Sequence, residues 1–311
     1  MSVTPKAQGR VNAVISVPGV TITTEVPNGC ALCEGGSRPL FRVDGALIVA
    51  CTSCGLVRQA TRPVSPGDFY DSAYYATDNP KGGYSNYFLD AEVNRRTFQR
   101  RLGAIERWLG RRGRLLDVGA ALGDFVLEAQ AVGWQAEGVE ISTYAAARAR
   151  ARGAVVHAGP LEKLRLPPGR FDVVTLYDTI EHLTDPIATL REIERLLVPG
   201  GALHLVTPNV GGYQARTLGS RWYHYKPGEH LFYFSPDTLR TAIERGGLQW
   251  EGWARAGSYL TLTYVFDRLR YYAPKPFGVL QWLGRQLRFG PFTFYLHVGE
   301  MEAWARKRVA A

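Results

Sequence analysis

RLLDVGAALGDF, running from Arg114 to Phe125, is the stretch on which the reading of this 311-residue chain turns. Leu115, Leu116, Asp117 and Val118 have strand character and lead directly into a turn of small residues, Gly119 to Gly123. A helix-like run follows from Asp124 to Val132. A strand, tight turn and helix in that order lets loop backbone and a helix N-terminus approach a bound group that Cβ atoms would otherwise hold off. Taken alone, the pattern suits any βα unit. About twenty residues further on, a second short strand from Gln135 to Val139 ends in Glu140, the place where α/β nucleotide sites put an acidic side chain against ribose hydroxyls.

Strands and helices then alternate. Helices are expected near 124–132, 142–152, 186–197 and 236–245, with Asp185-Pro186 and Ser235-Pro236 as cap-then-proline starts. Strands are expected near Leu115, Ala136, Val155, Val173 and Leu203, and 249–256 with 259–264 reads as a terminal hairpin. Before the glycine turn, Leu89, Val93, Phe98, Leu102, Ile105 and Leu109 fall at helical spacing from Asn86 onward. This alternation predicts a mostly parallel sheet with helices on both faces.

LDVGAALGDF, GVEIS, FDVVTLYDTIEHLTDP and LVPGGALHLVTPN, in that order and spacing, resemble the class I S-adenosylmethionine-dependent methyltransferases over about residues 86 to 265. Ala121 stands where the family has its middle glycine, and Pro160 replaces the acidic residue usual after the third strand. The resemblance implies a Rossmann-like α/β fold with a seven-stranded sheet and S-adenosylmethionine as cofactor. Asp117, Gly119, Ala121, Gly123 and Phe125 would form the cofactor turn, Glu140 and Ile141 would hold the ribose, and Leu161 would meet adenine. Tyr177 and Asp178 would border the methyl group.

All four cysteines lie in two CxxC pairs, Cys30/Cys33 and Cys51/Cys54, separated by FRVDGALIVA, a hairpin with its turn at Asp44-Gly45. Four thiolates at this spacing fit one structural, tetrahedral zinc ion with no open position for water. The chain divides into an N-terminal arm or added edge strand (1–27), a zinc-binding β module (28–62), an ordered loop or lid rich in Tyr and Gly (63–85), a methyltransferase domain (86–266) and an aromatic, basic extension (267–311).

A methyl group on a sulfonium is already activated, so the protein must mainly align the acceptor and remove its proton. His230 is the first candidate for base. GEHLFYFSPDTL resembles the loop after the fifth strand in zinc-bearing sugar C-methyltransferases, which implies Glu229 as its partner; Tyr223 and His224 are adjacent candidates. Asp178, Glu181 and His182 match an acidic-x-x-Glu-His pattern of ubiquinone-type O-methyltransferases, in which such residues can hold a divalent metal such as Mg2+. Our reading instead takes Glu181-His182 as a metal-free strand cap, with His182 a further catalytic candidate.

Net charge is +9 with 46% hydrophobic residues, a composition that suits anionic partners without choosing among them. Neither a long uncharged apolar run nor a basic-then-apolar leader is present, so a cytoplasmic protein is expected. The function expected is methylation of a small or carbohydrate acceptor, at oxygen rather than carbon. The alternative is an RNA methyltransferase gripping nucleic acid through the zinc module. An Asn/Asp-Pro-Pro-aromatic motif after the fourth strand would favour RNA, and its absence disfavours nucleic acid as partner. A degenerate cofactor-binding scaffold is a third reading. The C-terminal stretch combines Trp282, Phe292, Phe294 and Trp304 with arginines. That mixture fits a peripheral membrane or lipid-linked contact, or a tail packed on the domain or on a second subunit.

Overall fold

The computed structural model describes residues 12–17, 20–25, 29–63, 91–286 and 292–309. The expected loop or lid at 63–85 lies outside the described residues beyond position 63. At the N-terminus, β1 (Asn12–Val17) and β2 (Val20–Glu25) form an antiparallel pair, where the sequence suggested an arm or a single edge strand.

The cysteine module follows. β3 (Ser37–Val43) and β4 (Ala46–Cys51) make the expected hairpin, with Asp44 and Gly45 at φ 46° and 83°, the type I′ geometry that matches strand twist. β5 (Val57–Gln59) continues this sheet and β6 (Arg62–Pro63) joins β2. Arg58 is buried and staples the module, donating to the carbonyls of Gln59, Ala60 and Gly29 and to the Ser37 hydroxyl.

The main domain begins with α1 (Ala91–Leu109), whose buried side chains include Val93, Leu102 and Ile105. β7 (Arg114–Val118), α2 (Asp124–Ala131), β8 (Gln135–Glu140), α3 (Thr143–Ala151) and β9 (Val156–Ala158) form the first half. β10 (Phe171–Tyr177), α4 (Pro186–Leu196), β11 (Leu197–Pro208), α5 (Tyr213–Leu218), β12 (Phe232–Tyr233), α6 (Pro236–Arg245) and β13 (Gln249–Arg255) form the second. The cap-then-proline starts are real: Asp185 and Ser235 accept from the amides of Ala188 and Thr238.

One expectation is corrected. β13 does not pair with the segment after it. β14 (Ser258–Thr261) pairs instead with β15 (Thr293–Leu296), while 262–269 forms α7 (Leu262–Leu269), followed by α8 (Pro274–Gln286). The partner of β13 is β16 (Glu300–Arg306), which lies antiparallel between β11 and β13. Part of the expected extension, 267–311, is therefore the seventh strand of the main sheet. Its partners fix it there: Met301, Ala303 and Ala305 point alternately into the core.

The sheet order is β13-β16-β11-β10-β7-β8-β9, with every neighbour pair parallel except those made by β16. The order reverses between β7 and β10, and in open α/β sheets that switch point leaves a crevice beyond the strand ends.

Candidate active site

A cavity of about 470 Å3 opens at the switch point, lined by the ends of β7 and β8 and by the segments after β9 and β10. Gly119 and Gly123 take φ of 86° and 81°, which L side chains rarely adopt. An added Cβ on Gly123 would stand 2.8 Å from the Cβ of Ala149, so this glycine also sets how closely α3 packs. Ala121 carries the same left-handed bend at φ 46°, at a cost of roughly 1–2 kcal/mol for a residue with a Cβ.

Glu140 is buried at the end of β8. Its Oε2 accepts from the Ala121 amide at 2.8 Å and its Oε1 from the Ser142 amide at 2.7 Å. Each oxygen keeps a second lone pair for a further donor. Burial raises its pKa, and the amides of Ser142, Ala121 and Ile141 oppose the rise. Ala121, Glu140, Ile141, Leu161, Gly119 and Asp178 all line the cavity. Asp117, Gly123, Phe125 and Tyr177 do not. Asp117 lies buried behind the turn, accepting from Thr175 Oγ1 at 2.7 Å, and burial pushes its pKa up to about 7. Phe125 packs edge-on against Tyr177, whose hydroxyl lies 2.8 Å from His204 Nδ1.

A second group stands beside the cavity, on the short turn Ile180–His182 after β10 and on the loop after β11. Glu181 is buried. Its Oε2 accepts from Thr207 Oγ1 at 2.9 Å, while its Oε1 is enclosed with no hydrogen-bond partner. His182 lines the cavity, and its Nδ1 lies 2.9 Å from the Glu229 carbonyl, which can only accept. That bond puts the proton on Nδ1 and leaves Nε2 with its lone pair. The His182 ring stands edge-on to His230, centroids 4.7 Å apart. His230 is buried and its Nδ1 has no partner. Burial lowers the pKa of all three neighbouring imidazoles, with Lys226 adding to the effect: His182 to about 4, His224 to about 3, and His230 well below its ordinary value. They are neutral at physiological pH.

The remaining candidates frame this cluster. His224 Nε2 lies 3.4 Å from the Val298 carbonyl, and the Tyr223 hydroxyl contacts Arg268 of α7. The cysteine module grips the same loop. β12 pairs with β5, the Gly228 amide donates to Gln59 Oε1 at 2.8 Å, and Gln59 N donates to the Leu231 carbonyl at 2.9 Å.

Within the module, Cys30 and Cys54 sulfurs lie 3.6 Å apart and Cys33 and Cys51 sulfurs 3.4 Å apart. Tetrahedral Zn–S bonds imply sulfur separations of about 3.8 Å, so the set fits one zinc ion. The amides of Leu32, Ser53 and Cys54 point at Cys30 and Cys51, as thiolate ligands require. Among the described residues, Glu181, His182 and His230 form the other group whose ligand atoms lie within 4.8 Å of one another.

Sequence reasoning missed two residues. Arg101 of α1 is 8% exposed, lies 4.5 Å over the Tyr177 ring, and makes no hydrogen bond or ion pair with any described residue. Glu300, at the start of β16, is pushed up to about 8 by burial and by the Asp178 charge. An arginine on a helix ordinarily reads as solvated surface, and Glu300 fell in the supposed extension. The i±4 spacing of Arg101 from the buried Thr97 and Ile105 is the signal that could have placed it inward.

Sheet order, glycine turn and acidic β8 terminus together define the class I S-adenosylmethionine-dependent methyltransferase fold. A family model described as "Methyltransferase domain" matches residues 88–251, and the chain belongs to that family. Similar proteins include a "Ubiquinone biosynthesis O-methyltransferase" of Bordetella pertussis, 30% identical over 189 residues, covering 54% of this chain and 75% of that protein. Another of that name, from Xanthomonas euvesicatoria pv. vesicatoria, is 34% identical over 131 residues, covering 35% of this chain and 51% of that protein. The chain thus spans about half the length of the Xanthomonas relatives it matches. In fold it is similar to phosphoethanolamine N-methyltransferase 2 of Haemonchus contortus, solved in complex with S-adenosyl-L-methionine, with a TM-score of 0.51 and 19% identity over 82% of this chain and 63% of that one. Among the described residues no helix is long and apolar enough to cross a membrane.

Proposed function

We propose that this protein methylates a small or carbohydrate acceptor at oxygen, using S-adenosylmethionine, with His230 as general base. The observation that carries the reading is that His182 lines the cofactor cavity while its ring stands 4.7 Å from a buried, neutral His230 whose Nδ1 is unpartnered. A neutral imidazole beside the donor cavity is what removal of an acceptor hydroxyl proton needs. The Bordetella relative, a protein named as an O-methyltransferase, supports oxygen as the atom methylated.

The cavity residues fit the cofactor. Glu140 has lone pairs left for ribose hydroxyls, Leu161 offers backbone to adenine, and Asp178 borders the reacting end. Arg101 is 8% exposed and, although the charges of Asp178, Glu300 and Glu302 act on it, it makes no hydrogen bond or ion pair with a described residue, so its donors could take the cofactor's carboxylate. Bound there, S-adenosylmethionine supplies a methyl group made electrophilic by its sulfonium. The chain's own task is alignment: Glu229 holds His182 through its carbonyl, and Gln59 holds the loop that carries His230. Zinc in the four-cysteine cluster would keep that clamp folded.

A second reading rests on the enclosed, partnerless Glu181 Oε1 and His230 Nδ1. With His182 Nε2 they make a one-carboxylate, two-imidazole set. That chemistry suits zinc, manganese or iron(II) better than magnesium, which prefers oxygen ligands. Bound metal there would lower the acceptor hydroxyl's pKa in place of a free imidazole base.

The test is transfer of labelled methyl from S-adenosylmethionine into separate pools of ribosomal RNA, nucleotide sugars, lipid-linked saccharides and small hydroxylated acceptors, comparing wild type with His230→Ala. Label in a non-RNA pool that the variant loses supports the proposal, whereas label in RNA refutes it. Chelation that spares turnover keeps the free base; loss restored by manganese or zinc moves the role to the metal.

A further inference from the structure

We propose that the insertion between β13 and β16 docks this protein on an anionic lipid surface, with α8 and the outer face of β15 entering the headgroup region and arginines of α1 meeting lipid phosphates. The inference goes beyond the proposed chemistry and rests on three observations.

The first is apolar exposure concentrated in this insertion. On α8, Val279, Leu280, Trp282 and Leu283 are 57%, 40%, 59% and 38% exposed, while Gln281 between them is buried and hydrogen-bonded to Arg270 and Asp267 of the preceding segment. Over Val279–Leu283 the helix has turned its one polar residue inward and its apolar ones outward, the reverse of a helix that lies against water. β15 does the same: Phe294 and Leu296 face out, while Thr293 and Tyr295 face α1. Single exposed apolar residues need no explanation, but a cluster on one element does.

The second is charge. Residues 258–296 carry five basic side chains and one acidic, Asp267. Beneath β15, the exposed face of α1 carries Arg96, Arg100 and Arg107, which with Tyr259 line an open groove of about 500 Å3. Arg96 Nη1 donates to Thr293 Oγ1 and Arg100 lies 4.4 Å over the Tyr295 ring, so the basic groove and the apolar strand are joined. An apolar, Trp-bearing face flanked by arginines is the composition that binds the interface of an anionic bilayer.

The third is what this charge excludes. A two-fold dimer through the same face would set it against its own arginines. Nucleic acid would suit the arginines and Trp282, but would leave Val279, Leu280, Leu283 and Leu296 against a charged, hydrated ligand. A bilayer satisfies both sets at once. The docked insertion also touches the acceptor side, since Arg268 and Tyr272 of this segment bond to Tyr223.

Flotation of the full chain with phosphatidylcholine vesicles, with and without added phosphatidylglycerol, tests the proposal. Binding is expected only with phosphatidylglycerol, to weaken as salt rises, and to fall about tenfold or more in Leu283→Glu and in Arg96→Glu/Arg100→Glu. S-adenosylmethionine affinity, measured by calorimetry on the same samples, should be unchanged, which keeps this test separate from that of the chemistry. No binding of the wild type, binding indifferent to all these substitutions, or a dimer or RNA complex lost in the variants with no vesicle binding would each overturn it.

Discussion

Gln59 accepts the Gly228 amide at 2.8 Å and donates its own amide to the Leu231 carbonyl at 2.9 Å, so the cysteine module holds both sides of the segment that presents Glu229 and His230. The two ends of this clamp lie 169 residues apart in sequence. Gln59→Ala leaves a confined amide without its acceptor, at roughly 1–3 kcal/mol. If that loss falls on the loop, kcat/KM for acceptor should drop about tenfold or more while cofactor affinity stays put. Steady-state kinetics alongside calorimetry measures both. Equal losses in the two would mean the module supports the whole domain rather than this loop.

Arg101 makes a sharper case for the cofactor side. Its guanidinium lies over the Tyr177 ring, close enough to Asp178 and Glu300 for their charges to act on it, and bonds to no described residue. Arg101→Met keeps the aliphatic stem and removes the charge. Cofactor affinity should weaken about tenfold, as expected for a hydrogen bond to a charged group. An analogue of S-adenosylmethionine lacking the carboxylate should bind wild type and variant alike. Glu140→Ala provides the contrast, because it should weaken both ligands by a similar factor. An Arg101→Met loss that the analogue shares would assign the residue to the fold instead.

How much of this was legible beforehand depends on what each residue's signal competes with. The β7 turn, Glu140 and the cysteine pairs carry chemistry that few other contexts demand, and the proline starts of α4 and α6 fell where expected. β16 was hidden. Its core residues are Met301, Ala303 and Ala305, too small to advertise a strand, and its other face carries Glu300, Glu302, Trp304 and Arg306. It also joins the sheet only after an insertion long enough to break any local pairing signal. The Glu181–His182–His230 cluster was half visible: the Glu-His dipeptide was read, but the third member comes from a loop 48 positions beyond His182, brought in by β12 pairing with β5.

The proposed base sets a pH dependence for turnover. Burial first, then the neighbouring His182, Lys226 and His224, hold His230 well below its ordinary pKa. An imidazole already neutral at pH 7 gains nothing from higher pH. The acid limb of kcat should therefore lie below pH of about 6.5, the ordinary histidine value, with a plateau through neutrality. A limb at the ordinary value, in a profile that His230→Ala does not change, would point to a different proton acceptor.

His224 should make its mark on stability rather than on rate. Burial and the Lys226 charge depress its folded pKa to about 3, against an ordinary value of 6.5. The unfolded chain therefore binds a proton that the native state refuses throughout that interval. A histidine with a depressed folded pKa contributes stability that is intact above its unfolded value and is lost as pH falls below it. His224→Asn removes this titration. The variant should be the less stable at neutral pH, because the ring packs against Trp222 and Tyr223. Its deficit should shrink by about 2 kcal/mol between pH of about 7.5 and about 5. Urea unfolding of both proteins across that range measures the gap. A deficit that stays constant with pH would mean that His224 takes up its proton in the folded state as readily as in the unfolded one.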